Sequence, residues 1–322
     1  MSRLYRYQTS ITNFIKDRSC LFTNINQGDN FKFNQTILYD SLVKSDMYLP
    51  ILFLTIMNNQ NKKKKITIQG YYLASCIEFL HILSDNNIFN NNALKVHLIL
   101  SANKSLHQNI DILKNYVSND DNIKISTELN DLYHSVVNLK KLLGDTKYKY
   151  TTNLVNNEVS KWYIKNKNAD IIKNTYMIDK TSYEENLNNK LGSLIELVIC
   201  GGWILGGGSL SGDTNINQIK KIATYFTRVY KIYLDFINIE VDLINLSTSN
   251  FTDNHIINYG IHESYELFMN NKQKFIEECL KKDMYTDTIK EIISNIEIKV
   301  DNIIDETSPD LKSNVSLNFI YH

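Results

Sequence analysis

The chain of 322 residues reads as an all-α protein, and three observations carry that reading. Its apolar residues recur at helical spacing over long stretches, as at Leu73, Ile77, Leu80 and Leu83 and again at Ile219, Ile222, Phe226, Val229, Tyr233 and Phe236. No run of short alternating strands with turn signals between them interrupts this pattern. With 2 prolines and 11 glycines there are few strong breakers, and no Pro/Gly/Ser-rich linker separates two halves. The expectation is one domain over 1–322, with 1–30 as a lead-in and 306–322 as a tail.

Taken in order, Ile11, Phe14 and Ile15 give the lead-in one apolar face, which Gly28-Asp29-Asn30 ends. Phe33–Val43 reads as a helix. Pro50 opens another, whose ILFLTIM run at 51–57 is apolar all round yet too short to cross a bilayer, so it belongs in a core. Asn58–Lys65 is a polar turn with four consecutive lysines. The stretch Gly70–Asn92 follows, where Cys76 and Phe79 widen the stripe of leucines into a face fit for burial. It closes on a polar cluster of Asp85, Asn86, Asn87 and Asn90. Residues 103–150 alternate helix-like runs with polar turns. Between 147 and 176 only Trp162, Tyr163, Ile171 and Ile172 suggest a core.

From Thr181 a long helix runs through Leu187, Leu191 and Leu194 to Val198, and a glycine-rich stretch follows at 201–208. That stretch has neither the preceding strand nor the Lys-Ser/Thr end of a phosphate loop. Its glycines are read as the close approach of a neighbouring helix followed by a helix end. Ile216–Leu246 is the second long buried helix, and amphipathic helices are expected around 262–280 and 286–304.

Composition excludes several function classes. Lys and Arg total 35 against 35 Asp and Glu, so no overall charge recommends nucleic acid as a partner. The 43% hydrophobic fraction supports a large core, and no stretch is long enough for a membrane span. Cys20, Cys76, Cys200 and Cys279 form no C-x-x-C pair and read as reduced structural thiols. Met1–Thr9 lacks the apolar core of a signal peptide. Heavy use of Asn, Lys, Ile and Tyr fits an AT-rich genome such as that of a large DNA virus or an AT-rich protist. The expected location is the cytoplasm, the host's in the viral case.

Three segments in sequence resemble the trans-isoprenyl diphosphate synthase (polyprenyl synthetase) family. GYYLASCIEFLHILSDNNIF is similar to the family's helix ahead of its first aspartate-rich motif, with Glu78, His81 and Ser84 in matching places. KLGSLIELVICGGWILGGG, from Lys190 to Gly208, resembles the Lys-Thr-Gly helix and the small-residue stretch after it. The helix over 219–246 stands where the second aspartate-rich motif belongs, and Asn258-Tyr259-Gly260 resembles the family's tail. The likeness covers roughly 30–305. It implies an isoprenoid synthase-like helical bundle around a central cavity, commonly dimeric. In active members two Asp-Asp-x-x-Asp motifs hold Mg²⁺ on an allylic diphosphate, since this hard cation prefers charged oxygen ligands.

This chain departs from the pattern at the charged positions. The first motif aligns with Asn86, Asn87 and Asn90, all amides, and a shift by one residue recruits only Asp85. The second aligns with Val241, Asp242 and Asn245, or one residue earlier with Glu240, Val241 and Ile244. A unit charge a few ångströms from another is worth about 4 kcal/mol at an effective dielectric near 20, so these losses remove most of the affinity for Mg²⁺. Ser45–Leu49 stands where a basic cluster should precede Pro50, with Lys44 the nearest cation, and Asn91–Leu100 offers only Lys95. Lys190 persists as a residual substrate contact, with Leu191 in place of its threonine.

The resemblance with these losses implies a catalytically inactive family member with a structural, interaction or regulatory role. It would be a homodimer or pair with a related subunit, and would need no cofactor. The alternative is a divergent prenyltransferase condensing isopentenyl diphosphate with an allylic diphosphate. It would use Mg²⁺ with Asp85, Glu240, Asp242 and Lys190. A third reading is an apolar lipid-binding protein that keeps the cavity without the metal. His81 is read as a core histidine, Glu78 as an internal cap or pair, and Asn86, Asn87 and Asn90 as an amide network or helix end.

Overall fold

The computed structural model describes residues 2–18, 42–60, 67–84, 178, 180–208, 213–249 and 252–306, and every element among them is helical. Asp85, Asn86, Asn87 and Asn90 lie outside the described residues, as do Cys20, the lysine run at 62–65 and the stretch 85–177. The described elements are α1 (Arg3–Asp17), α2 (Tyr48–Gln60), α3 (Thr67–Ser84), α4 (Lys180–Leu187), a π turn (Asn188–Gly192) and α5 (Ser193–Leu205). They continue with α6 (Asp213–Ser249), α7 (His255–Tyr259), α8 (Ile261–Lys281) and α9 (Asp287–Glu306). Two compact units contain them, one formed by 1–170 with 196–219 and the other by 171–195 with 220–322. Both boundaries near 195 and 219 fall inside helices, α5 and α6.

The first unit is built around α2. Every residue from Tyr48 to Met57 is buried, as a helix apolar on all sides requires. α1 and α3 both pack on it, and the sequence supplies the means for α5 to do so as well. A Cβ added at Gly202 would lie 2.9 Å from the Phe53 carbonyl oxygen. One added at Gly206 would lie 2.7 Å from that of Met57. Backbone therefore meets backbone, and the close approach expected of the glycine stretch is present. Gly207, at φ 85°, then ends the helix in the left-handed region that glycine tolerates. α3 buries Leu73, Cys76, Ile77, Phe79, Leu80 and Ile82. On α1, Phe14 stacks on Tyr71 at 5.4 Å and meets Tyr72 edge-on at 5.0 Å.

The second unit holds α4, the π turn, α6 from Lys220 onward, α7, α8 and α9. Phe226 of α6 packs on Phe275 of α8 with ring centroids 5.1 Å apart. Ile289, Ile292, Ile293, Ile296 and Val300 give α9 a buried stripe. Tyr265 donates to Asp301 at 3.1 Å across the α8–α9 pair. The turn between them closes by a Met284 N–H bond to the Cys279 carbonyl, with Asp283 at φ 52°. Cys76, Cys200 and Cys279 are buried free thiols, and burial pushes the thiols of Cys76 and Cys279 well up, as structural cysteines require.

One expectation is corrected here. The stretch from Thr181 to Val198 is two α-helices joined by a π turn, not one continuous helix. A wider π turn still leaves Leu187, Leu191 and Leu194 on the buried side, so the apolar period hides the insertion.

Candidate functional site

The polar groups of the second unit gather where α6 meets the chain entering α7. Lys231 and Asp235 are one turn apart on α6, and the Lys231 Nζ lies 2.7 Å from Asp235 Oδ1. The same ammonium lies 3.5 Å from Asp253 Oδ1. The other oxygen of Asp235 accepts the His255 backbone N–H at 3.0 Å. Asn254, fully buried, donates through Nδ2 to the Asp235 carbonyl at 2.9 Å and to Asp242 Oδ2 at 2.8 Å. Its Oδ1 accepts from the backbone N–H groups of Ile256 and Ile257, capping α7.

One ammonium, that of Lys231, lies between two carboxylates, those of Asp235 and Asp253. Burial works against the Lys231 ammonium, but Asp235 and Asp253 more than offset it and hold its pKa well above the ordinary lysine value. Burial also raises the Asp235 carboxyl toward neutrality. The ammonium at 2.7 Å and the N–H at 3.0 Å both favour the carboxylate, and the balance still leaves its pKa raised, to about 7. Tyr183 of α4 lies against His255 and Tyr259, and its buried hydroxyl has no hydrogen-bond partner. Burial, then the charge of Asp235, push its phenol far above the usual range.

His255 is neutral. Ser264 donates to the Gly260 carbonyl at 2.6 Å, so the Ser264 Oγ must accept from His255 Nδ1 at 2.7 Å, which assigns the proton to Nδ1. Burial, then the ammonium groups of Lys231 and Lys180, lower the imidazole to about 3. A histidine with a depressed folded value adds stability above its unfolded value near 6.5, and that stability is lost as the pH falls from there toward about 3. Between pH 7 and pH 5 the wild type should therefore lose about 2 kcal/mol of stability relative to His255→Gln. Urea unfolding of both proteins at the two pH values checks this.

The positions of the second motif stand on the C-terminal part of α6. Glu240 is exposed and Asp242 half-buried on Asn254. Val241 is 45% and Ile244 68% exposed, and with Ile237 at 44% they form an apolar stripe at i, i+4, i+7 spacing. Asn245 belongs to the same helix, but its side chain is outside the described residues, as is that of Lys190 in the π turn. The structure thus keeps Glu240, Val241 and Asp242 on one helix, with an apolar side chain between the two carboxylates. Among the described residues no group of three His, Cys, Asp or Glu side chains can hold a metal ion. Glu240 and Asp242, the described carboxylates of this motif, do not by themselves supply the several oxygens at one point that Mg²⁺ demands.

The first-motif helix presents a different feature. Glu78 is fully buried and neither carboxylate oxygen has a hydrogen-bond partner; His81 Nδ1 stands 3.8 Å from Oε2. His81 is partly exposed at 17%, which corrects its expected place in the core. The i, i+3 spacing on α3 brings the two side chains to one side, as the internal pair expected of Glu78 requires.

Sequence reasoning singled out positions 240–245 and passed over Lys231, Asp235, Asp253, Asn254 and His255. A Lys-x-x-x-Asp pair reads as an exposed helix pair. The available signal was its setting between the buried residues Ile232, Tyr233 and Phe236.

The helical architecture matches solved structures along nearly the whole chain. A geranyltranstransferase from Thermotoga maritima superposes with a TM-score of 0.59 at 12% identity, over 94% of this chain and 100% of that one. The chain has the isoprenoid synthase fold. A second example of the isoprenoid synthase fold, an FPP/GFPP synthase from Zymomonas mobilis, matches with a TM-score of 0.56 at 12% identity, over 91% and 98% of the two chains. A third, a geranyltransferase from Helicobacter pylori complexed with magnesium and isoprenyl diphosphate, gives 0.52 at 11%, over 95% and 97%. No protein-family model and no curated protein matches the sequence. No described helix is long and apolar enough to cross a membrane.

Proposed function

We propose that the protein is a member of the trans-isoprenyl diphosphate synthase family. It acts as one domain, paired in a dimer, and as a divergent prenyltransferase that joins isopentenyl diphosphate to an allylic diphosphate. The observation that carries this is the extent of the fold, which covers 94% of this chain and 100% of a geranyltranstransferase. Fold alone does not fix chemistry, because one scaffold hosts many sites. The residues on which the reaction rests are Lys190 in the π turn, Glu240 and Asp242 on α6, and Asp85. Single π turns inside helices are frequent at functional sites.

A second reading has its own support. Asp242 is engaged by Asn254, and Val241 and Ile244 put apolar groups at motif positions. These favour a non-catalytic protein with an interaction or regulatory role. Labelled isopentenyl diphosphate incubated with allylic partners of several chain lengths and Mg²⁺ separates the two. Product above a protein-free blank supports the enzyme. Its absence at every chain length leaves the non-catalytic reading.

A further inference from the structure

The row of Ile237, Val241 and Ile244 on the outer face of α6 is more than one exposed apolar residue standing alone, which would need no account. The packing of the second unit shows which part of the chain comes within its reach. α8 runs antiparallel to α6, since Phe226 packs on Phe275 and Lys221 meets Glu278 at 4.0 Å. It runs antiparallel to α9 as well, since Lys272 pairs with Glu297 and Tyr265 with Asp301. α6 and α9 are therefore parallel, and the Lys299 ammonium, 3.5 Å from the Tyr233 hydroxyl, sets their register. At about 1.5 Å per residue on both helices, α9 ends at Glu306 level with Glu240, in the middle of the apolar row.

Residues 307–322 continue from that point. Extended, they reach roughly 50 Å, several times the ~10 Å between Ile237 and Ile244. In an extended chain Val315, Leu317, Phe319 and Tyr321 share one edge, with Ser316 and Asn318 on the other. Their intervals of about 6.7 Å are close to the one-turn spacing of the row on α6. No acidic residue lies in 311–322, so nothing there repels Glu240 and Asp242 beside the row. We propose that residues 315–321 dock in extended form on the Ile237–Val241–Ile244 row of their own chain. Docked there, the segment is a strap across positions 240–244, and a ligand approaching them must displace it. This inference concerns the free protein and does not depend on turnover.

Maleimide labelling of Val241→Cys tests it, with the parent protein giving the background from its own cysteines. The new thiol is compared in the full chain, in a chain ending at Glu306, and in the full chain carrying Leu317→Asp and Phe319→Asp. It should react about tenfold or more slowly in the first than in the other two, as a local closed state requires. A synthetic peptide of residues 307–322 added to the shortened chain should restore slow labelling. Equal rates in the three proteins, fast or slow, overturn the proposal. Slow labelling of the Leu317→Asp, Phe319→Asp protein that becomes fast on dilution assigns the row to a second copy, and overturns it too. Should the shortened chain not fold, the two full-length proteins decide by the same comparison.

Discussion

Asp235→Ala should cost about 3–5 kcal/mol of folding stability, the range for removing one partner of a buried ion pair. The substitution leaves the Lys231 ammonium with only Asp253 beside it, at 3.5 Å and partly in water, in place of a 2.7 Å contact. It also deprives the His255 N–H of its acceptor, adding the desolvation of an unmade backbone bond. Asp235→Asn keeps an acceptor oxygen for that N–H and should cost less than the alanine. In a double-mutant cycle with Lys231→Met the two losses should fall short of additivity by 2 kcal/mol or so, because the second change removes a charge the first had stranded. Chemical unfolding of the four proteins in metal-free buffer gives the coupling directly.

Gly206→Ala should cost about 2–3 kcal/mol, and Gly202→Ala a similar amount, from overpacking rather than from backbone strain. The new Cβ at 206 would sit 2.6 Å from Gln60 Cβ and 2.7 Å from the Met57 carbonyl oxygen; at 202 it would sit 2.9 Å from the Phe53 carbonyl oxygen. Carbonyl oxygens of α2 cannot turn aside as a side-chain tip does, and α2 is buried from Tyr48 to Met57. One small shift of α5 away from α2 relieves both clashes, so the double variant should cost less than the two singles combined. Gly207 is the control. A Cβ there meets nothing within 4 Å, but φ is 85°, so its alanine should cost only about 1–2 kcal/mol through the left-handed backbone. Thermal unfolding of the four variants separates steric from conformational cost.

Much of this architecture is legible in the chain because burial leaves a periodic trace. The ILFLTIM run at 51–57 is apolar on every side of a helix, which only a central position tolerates, and α2 is that helix. Glycines at 202 and 206 mark the neighbour that approaches it, and the same residues show where α5 stops. The π turn left no trace, since one extra residue between Leu187 and Leu194 keeps both in the core. The Lys231 cluster was illegible for a different reason. Its third member, Asp253, and its organiser, Asn254, come some eighteen residues after Asp235, and nothing in local spacing pairs them. Among the candidate motif residues the sequence shows amides or an apolar group at 86, 87, 90, 241 and 245, where the family pattern has carboxylates. It could not say that Asp242 would be held by an asparagine twelve residues later.

The charge pattern bears on the proposed function in a definite way. Active isoprenyl diphosphate chemistry needs positive charge at the departing diphosphate, and among the described residues no group of three His, Cys, Asp or Glu side chains gathers to hold a metal ion there. Lys190, at the π turn, is therefore the cation on which diphosphate binding most depends in the prenyltransferase reading. The measurement closest to that claim is calorimetric titration of the wild type and Lys190→Ala with a non-hydrolysable allylic diphosphate, with and without Mg²⁺. Saturable binding by the wild type is expected, weakened about tenfold or more in Lys190→Ala, as loss of one charge-assisted contact requires. No binding by the wild type, with or without Mg²⁺, would contradict it.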